Sequence, residues 1–194
     1  MKAFDSIGIS RHDLVTMIEI QRPPHNFFDI LMIREIAEAC ESLDRDPGCR
    51  AIVLAAQGSA FCAGAKLGGD SDIGDLLAQK NEAGQTGSLY HEAVRLFRTK
   101  KPIVGAIHGA AVGGGLGLAL VPDLRVTCHE ARFCANFTRL GFHPGFGLTT
   151  TLPELIGPSK AALMFYTSRR FTGTEAVEMG LADVLVPQNE VRSR

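Results

Sequence analysis

The sequence predicts one α/β domain spanning residues 1–194, on three observations. Short, fully apolar runs at Ala51–Ala56 and Ile103–Ile107 have the length and composition of strands buried on both faces. Segments of helical periodicity alternate with such runs through the middle of the chain. Each of the two runs is followed by a stretch dense in small residues, just beyond the strand end, where open α/β sheets bind ligands.

Taken in order, Ile7–Ile9 and Leu14–Ile20 alternate apolar and polar residues around a polar turn, Ser10–Asp13, and read as an antiparallel hairpin. Arg22-Pro23-Pro24-His25-Asn26 breaks the second strand. From Phe28 to Leu43, Ile30, Ile33, Ile36 and Cys40 recur every three or four positions, the spacing of an amphipathic helix closed by Asp46-Pro47-Gly48. The strand Ala51–Ala56 follows. Gly58 to Gly87 is a long, polar, glycine-rich connection with at most a short helix around Asp72–Lys80, and a loop of that length points to function or disorder. A helix resumes over His91–Arg98 and stops at Lys101-Pro102. After the strand Ile103–Ile107 come a glycine-opened helix over Val112–Leu120, a strand at Asp123–Cys128 and an extended segment at Phe133–Phe137. Helices are expected over Gly147–Leu155, Ser159–Thr167 and Thr174–Gly180, with a last strand at Asp183–Val186.

Composition excludes several functions. Net charge is −1 and the basic residues are scattered, which argues against nucleic acid as a partner. The apolar stretches are short and interrupted by glycine, so no membrane span is expected. Five cysteines without CxxC spacing read as reduced thiols, and no metal site is expected. The N-terminus lacks a signal-peptide core, which makes the cytoplasm the expected location.

Glycine supplies 21 of 194 residues, concentrated in Gly58–Gly69 and Gly105–Gly117, and small side chains leave backbone N–H groups accessible. The second cluster also opens a helix, whose N-terminus favours negative charge. Two such donors converging from separate loops would form an oxyanion hole, where losing one donor typically costs ~3–4 kcal/mol of transition-state stabilisation. Spacing alone leaves a second reading open, in which the glycine triplet is a packing or turn device.

The segments FCAGA and, about fifty residues later, GAAVGGGLGLAL resemble those of the crotonase (enoyl-CoA hydratase/isomerase) family. The similarity runs from Ile7 to Pro187 and includes Arg22-Pro23, Lys101-Pro102 and FTGTEAVEMGLADVLVP. The resemblance implies a ββα superhelix of the ClpP/crotonase type that assembles as a homotrimer or a dimer of trimers, its usual C-terminal helices either absent from the protein or only missing from the sequence as given. It implies an acyl-CoA thioester as substrate, with coenzyme A part of the substrate and no separate cofactor. The oxyanion donors would be the amides of Ala65 and Gly114, with Gly113 beside them. Coenzyme A would lie along Arg22, Pro24, His25 and the segment Phe61–Ala65, including Ala63.

The departures are equally specific. Where the family's hydratases carry two glutamates, this chain has Gly117 and Phe137. Hydration delivers an oxygen and a proton to one double bond, and each acid–base group is typically worth ~10²–10⁴ in rate. The chain also resembles the 4-chlorobenzoyl-CoA dehalogenase branch in GGGLG and in Phe137, but Gly145 replaces that branch's aspartate nucleophile. Phe137, Phe142 and Phe146 either line an acyl pocket suited to an aryl or branched group or are core aromatics. His143 is the candidate replacement base, since imidazole titrates near neutral pH, or else a hydrogen-bonded loop histidine. Arg139, His91, Tyr90, His108, Asp123 and Cys62 read first as structural or solvated residues, as do Asp70, Asp72 and Asp75. An acyl-CoA enzyme using chemistry other than the glutamate pair is the leading reading. Hydrolysis, decarboxylation or isomerisation share its oxyanion step, and a silent acyl-CoA-binding homologue is the competing class.

Overall fold

The computed structural model describes residues 4–65 and 89–193. Among them the strands form two sheets. In the larger, β1 (Ile7–His12) and β2 (Val15–Ile20) are an antiparallel hairpin, and β2 continues in parallel pairing to β3 (Ala51–Ala56). A strand of the second sheet, β4 (Ala60–Cys62), follows immediately. The pattern then repeats: β5 (Ile103–Ile107) extends the large sheet and β6 (Ala110–Val112) pairs with β4. Next β7 (Leu124–Thr127) joins β5, and β8 (Arg132–Cys134) joins β6. A two-residue strand, β9 (Phe171–Thr172), closes the small sheet against β8, and β10 (Val184–Leu185) ends the large one against β7. Each large-sheet strand in the middle of the chain is thus followed by a small-sheet strand. This is the repeating ββα arrangement of a mixed α/β fold that the resemblance implies, with both sheets mainly parallel.

Six helices complete the described chain: α1 (Ile30–Arg45), α2 (Leu89–Leu96), α3 (Gly114–Ala119), α4 (Leu148–Ile156), α5 (Pro158–Thr167) and α6 (Gly173–Met179). Helix α1 starts at Ile30, two residues later than periodicity suggests, because Asp29 caps it by accepting the Met32 amide at 2.9 Å. Its buried face carries Ile30, Met32, Ile33, Ile36 and Leu43, each worth roughly 1.5–3 kcal/mol when fully buried. Two ion pairs join α1 to α2: Arg34 meets Glu92 at 3.1 Å, and Arg95 meets Glu41 at 2.8 Å.

Several boundaries differ from the sequence expectation for local reasons. The hairpin turn is Asp13-Leu14, with Asp13 in the left-handed region at φ 52°. The helix expected over Val112–Leu120 is only Gly114–Ala119, since Gly113 adopts φ 57° and separates it from β6. The extended segment ends at Cys134, and Phe137 is already helical where it enters a 3-10 turn at Thr138–Leu140. The helix expected near Asp72–Lys80, and Asp70, Asp72 and Asp75 with it, lie outside the described residues. No described helix is long and apolar enough to cross a membrane.

Candidate active site

Two backbone segments meet above the small sheet. The first is stitched together by buried Asn26, whose Nδ2 donates to the carbonyls of Gln57 (2.6 Å) and Ala60 (2.7 Å) while its Oδ1 accepts from the Arg22 amide (3.0 Å). The Ala63 amide then donates to the His25 carbonyl at 3.0 Å, and the Phe28 amide to the Gly64 carbonyl at 3.0 Å. Arg22–Phe28 therefore runs alongside Gly58–Ala65 and fixes where Ala65 ends up.

The second segment is the β6–α3 junction. The Gly113 amide donates to the Cys134 carbonyl at 2.9 Å, which anchors the turn to β8. Gly114 is the first residue of α3, so its N–H has no intrahelical acceptor. The two segments touch: a β-carbon on Gly64 would lie 2.7 Å from the Val112 carbonyl oxygen and 4.0 Å from the Gly114 nitrogen. At α3's length of six residues, the donors themselves matter more than the helix dipole.

A cavity of about 380 Å³ opens beside this junction. Ala63, Ala65, Gly113, Gly114, Phe137, Phe142 and His143 all line it, as do Phe28, Tyr90 and Asn136. Tyr90, Asn136 and His143 are its polar side chains, and no carboxylate lines it among the described residues. Glycines make room for its rings. A β-carbon on Gly114 would stand 2.6 Å from Cε1 of Phe28, one on Gly117 2.6 Å from Cβ of Phe146, and one on Gly145 2.8 Å from Cζ of Tyr90. Phe146 is buried at φ 56° and packs at a tilt on Phe28, their centroids 5.9 Å apart. Burial raises the Tyr90 phenol above its ordinary value, so the hydroxyl stays a hydrogen-bond donor at neutral pH.

Other residues singled out from the sequence lie elsewhere. Phe61 is fully buried in the core and its side chain does not line the cavity. Arg22 is paired with Asp29 at 2.6 Å, and exposed Pro24 and His25 sit on the flanking segment outside the cavity. His143 and Arg139 are exposed, and His91 is exposed and does not line the cavity that its neighbour Tyr90 lines. His108 and Asp123 are structural: His108 Nε2 lies 3.0 Å from the Gly58 carbonyl, and Asp123 accepts the Ile103 amide at 2.8 Å. Cys62 is inaccessible, its thiol pushed up to about 12 by burial. Asn136 and Phe28 carry no sequence signal, because the sheet pairing of β8 and the bridge between Phe28 and Ala65 bring them to the cavity.

The profile of the enoyl-CoA hydratase/isomerase family matches residues 10–194. A probable enoyl-CoA hydratase of Bacillus subtilis is 31% identical over 186 residues, covering 93% of this chain and 69% of that protein. A crotonyl-CoA hydratase of Syntrophomonas wolfei is 30% identical over 192 residues, covering 97% and 72%. Among solved structures, an enoyl-CoA hydratase subunit of Geobacillus kaustophilus superposes with a TM-score of 0.86 at 34% identity, covering 98% of this chain and 72% of that one.

Proposed function

The chain belongs to the enoyl-CoA hydratase/isomerase family, and on that premise we propose that it processes an acyl-CoA thioester by stabilising an oxyanion or enolate on the amides of Ala65 and Gly114. The observation that carries the reading is the meeting of the Gly64–Ala65 turn with the Gly114 amide at the mouth of an apolar cavity. A thioester carbonyl seated there would gain negative charge on its oxygen as a proton leaves the α-carbon or a nucleophile adds. Fixed N–H donors beside an apolar cavity favour that change.

Glutamate-pair hydration does not suit this site. Gly117 and Phe137 occupy the two positions concerned, and Phe146 fills the space beside Gly117. We assign the proton transfer to His143, which lines the cavity from the loop between the 3-10 turn and α4. Isomerisation, decarboxylation and thioester hydrolysis all pass through a charged carbonyl oxygen and remain the reaction classes of choice. That no carboxylate lines the cavity among the described residues favours a second reading, in which the chain binds acyl-CoA without turning it over.

Mass spectrometry of enoyl-, aryl-, branched- and malonyl-type CoA thioesters incubated with the purified protein separates the two. A shifted double bond, lost carbon dioxide or free CoA would name the reaction, and His143→Ala should lower its rate by ~10²-fold or more. Binding with no chemical change to any thioester would sink the enzyme reading in favour of the binding one.

A further inference from the structure

Beside the main cavity lies a second hollow of about 280 Å³, lined by Ala93, Val94, Phe97 and Gly147 and sharing Tyr90, Gly145 and Phe146 with the first. Those three shared residues are the wall between them. Phe146 is pinned in that wall, 2% exposed and wedged between Phe28 and Gly117. Gly145 contributes no side chain, and the Tyr90 hydroxyl occupies the place a β-carbon there would take. The Tyr90 ring, 38% exposed, is the large side chain of this wall that reaches solvent. Its backbone is held by the ion pairs between α1 and α2.

On the far side, Val94 and Phe97 follow Tyr90 at helical spacing and leave an exposed apolar strip, 49% and 41% accessible respectively. Uncharged and apolar, this strip offers nothing to a carboxylate or a phosphate. It suits an alkyl chain, and only the shared wall separates it from the cavity that would hold the acyl group.

We propose that Tyr90, seated against Gly145, sets the acyl-chain length that the cavity accepts, and that a longer alkyl tail crosses this wall onto the Val94–Phe97 strip once the ring is removed. The inference rests on the acyl-CoA reading above. Each methylene moved from water into an apolar site strengthens binding about fourfold, so a blocked tail should show as a break in the chain-length series.

The test is calorimetric titration of straight-chain saturated acyl-CoAs, butyryl through dodecanoyl, into the wild type, Tyr90→Phe and Tyr90→Ala. Alanine keeps the helix propensity of an exposed position, so the variant should fold, and circular dichroism checks that it does. In the wild type and Tyr90→Phe, affinity should rise about fourfold per methylene and then level off. In Tyr90→Ala the rise should continue for several further carbons. Adding Val94→Glu to Tyr90→Ala should bring the break back, because it places a charge on the tail's path. The same break point in wild type and Tyr90→Ala overturns the proposal alone. Failure of every thioester to bind overturns the acyl-CoA reading and the proposal with it.

Discussion

At Gly117 a β-carbon would stand 2.6 Å from Cβ of Phe146 and 2.7 Å from its Cδ1. Those atoms lie close to the Phe146 backbone, so turning the ring cannot relieve the overlap. Phe146 has little freedom to retreat, since its backbone is left-handed at φ 56° and its ring is packed on Phe28. Gly117→Ala should therefore destabilise the fold by about 1–3 kcal/mol from overpacking, less the ~1 kcal/mol that alanine gains over glycine in a helix. Gly117→Glu should cost more and should not by itself create a hydratase. Urea denaturation of Gly117→Ala, Phe146→Gly and the double variant checks the mechanism. The double variant should be less destabilised than the sum of the singles, because Phe146→Gly removes the clashing ring and also relieves the left-handed backbone. Additive losses would mean that the two positions do not share the space inferred for them. At this scale position 117 cannot be read alone: a glycine there and a phenylalanine at position 146 fit only together.

Helix α6 shows what local sequence can and cannot specify at the scale of an element. Thr172 and Glu175 form a complete capping box: the Glu175 amide donates to the Thr172 hydroxyl at 3.2 Å, and the Thr172 amide donates to the Glu175 carboxylate at 2.7 Å. That amide first, then Arg169 and the Thr172 hydroxyl, hold the Glu175 carboxyl down at about 2. A carboxyl lowered in the folded state stabilises it above the ordinary value of 4.5, and that contribution disappears as pH falls toward 2. Across this window, denaturation midpoints of the wild type should fall more steeply with pH than those of Glu175→Gln, and parallel slopes would contradict the linkage. The TGTEA pattern announced this helix to within a residue, as spacing announced α1, α4 and α5. The small sheet was legible only at β8, through the extended segment expected from Phe133. Its strands are two or three residues long, too short for alternation to register, and they pair only with partners distant in sequence. The same holds for the site: the glycine-rich turns were visible as composition, while Phe28, Tyr90 and Asn136 reach the cavity only through tertiary pairing.

Over the whole molecule, the five cysteines are spread over helix α1 (Cys40), the small sheet (Cys62 and Cys134) and loops at the ends of large-sheet strands (Cys49 and Cys128), and all five are free and buried. Burial pushes the thiols of Cys40 in α1 and Cys62 in β4 up to about 12, from an ordinary value of 9.0. A thiol raised in the folded state favours folding below pH ~9, and that contribution is lost as pH climbs toward the folded value. Since the thiolate is the reactive form, alkylation near pH 8 requires the fold to open first. Iodoacetamide labelling followed by peptide mass spectrometry should therefore be slow at every cysteine in the native protein and fast in urea. If opening is global, all five should share one rate constant. A ligand that binds only the folded state should then slow all five together, by about a hundredfold at one hundred times its Kd. Slowing confined to Cys62 and Cys134 would instead mean that the small sheet, which carries the Ala65 and Gly114 turns, opens apart from the large one. Rapid labelling of any cysteine in the native state would contradict the burial from which the prediction starts. The shared rate is the expected result, because the sheets are linked covalently at each β3–β4, β5–β6 and β7–β8 junction and close over one continuous core.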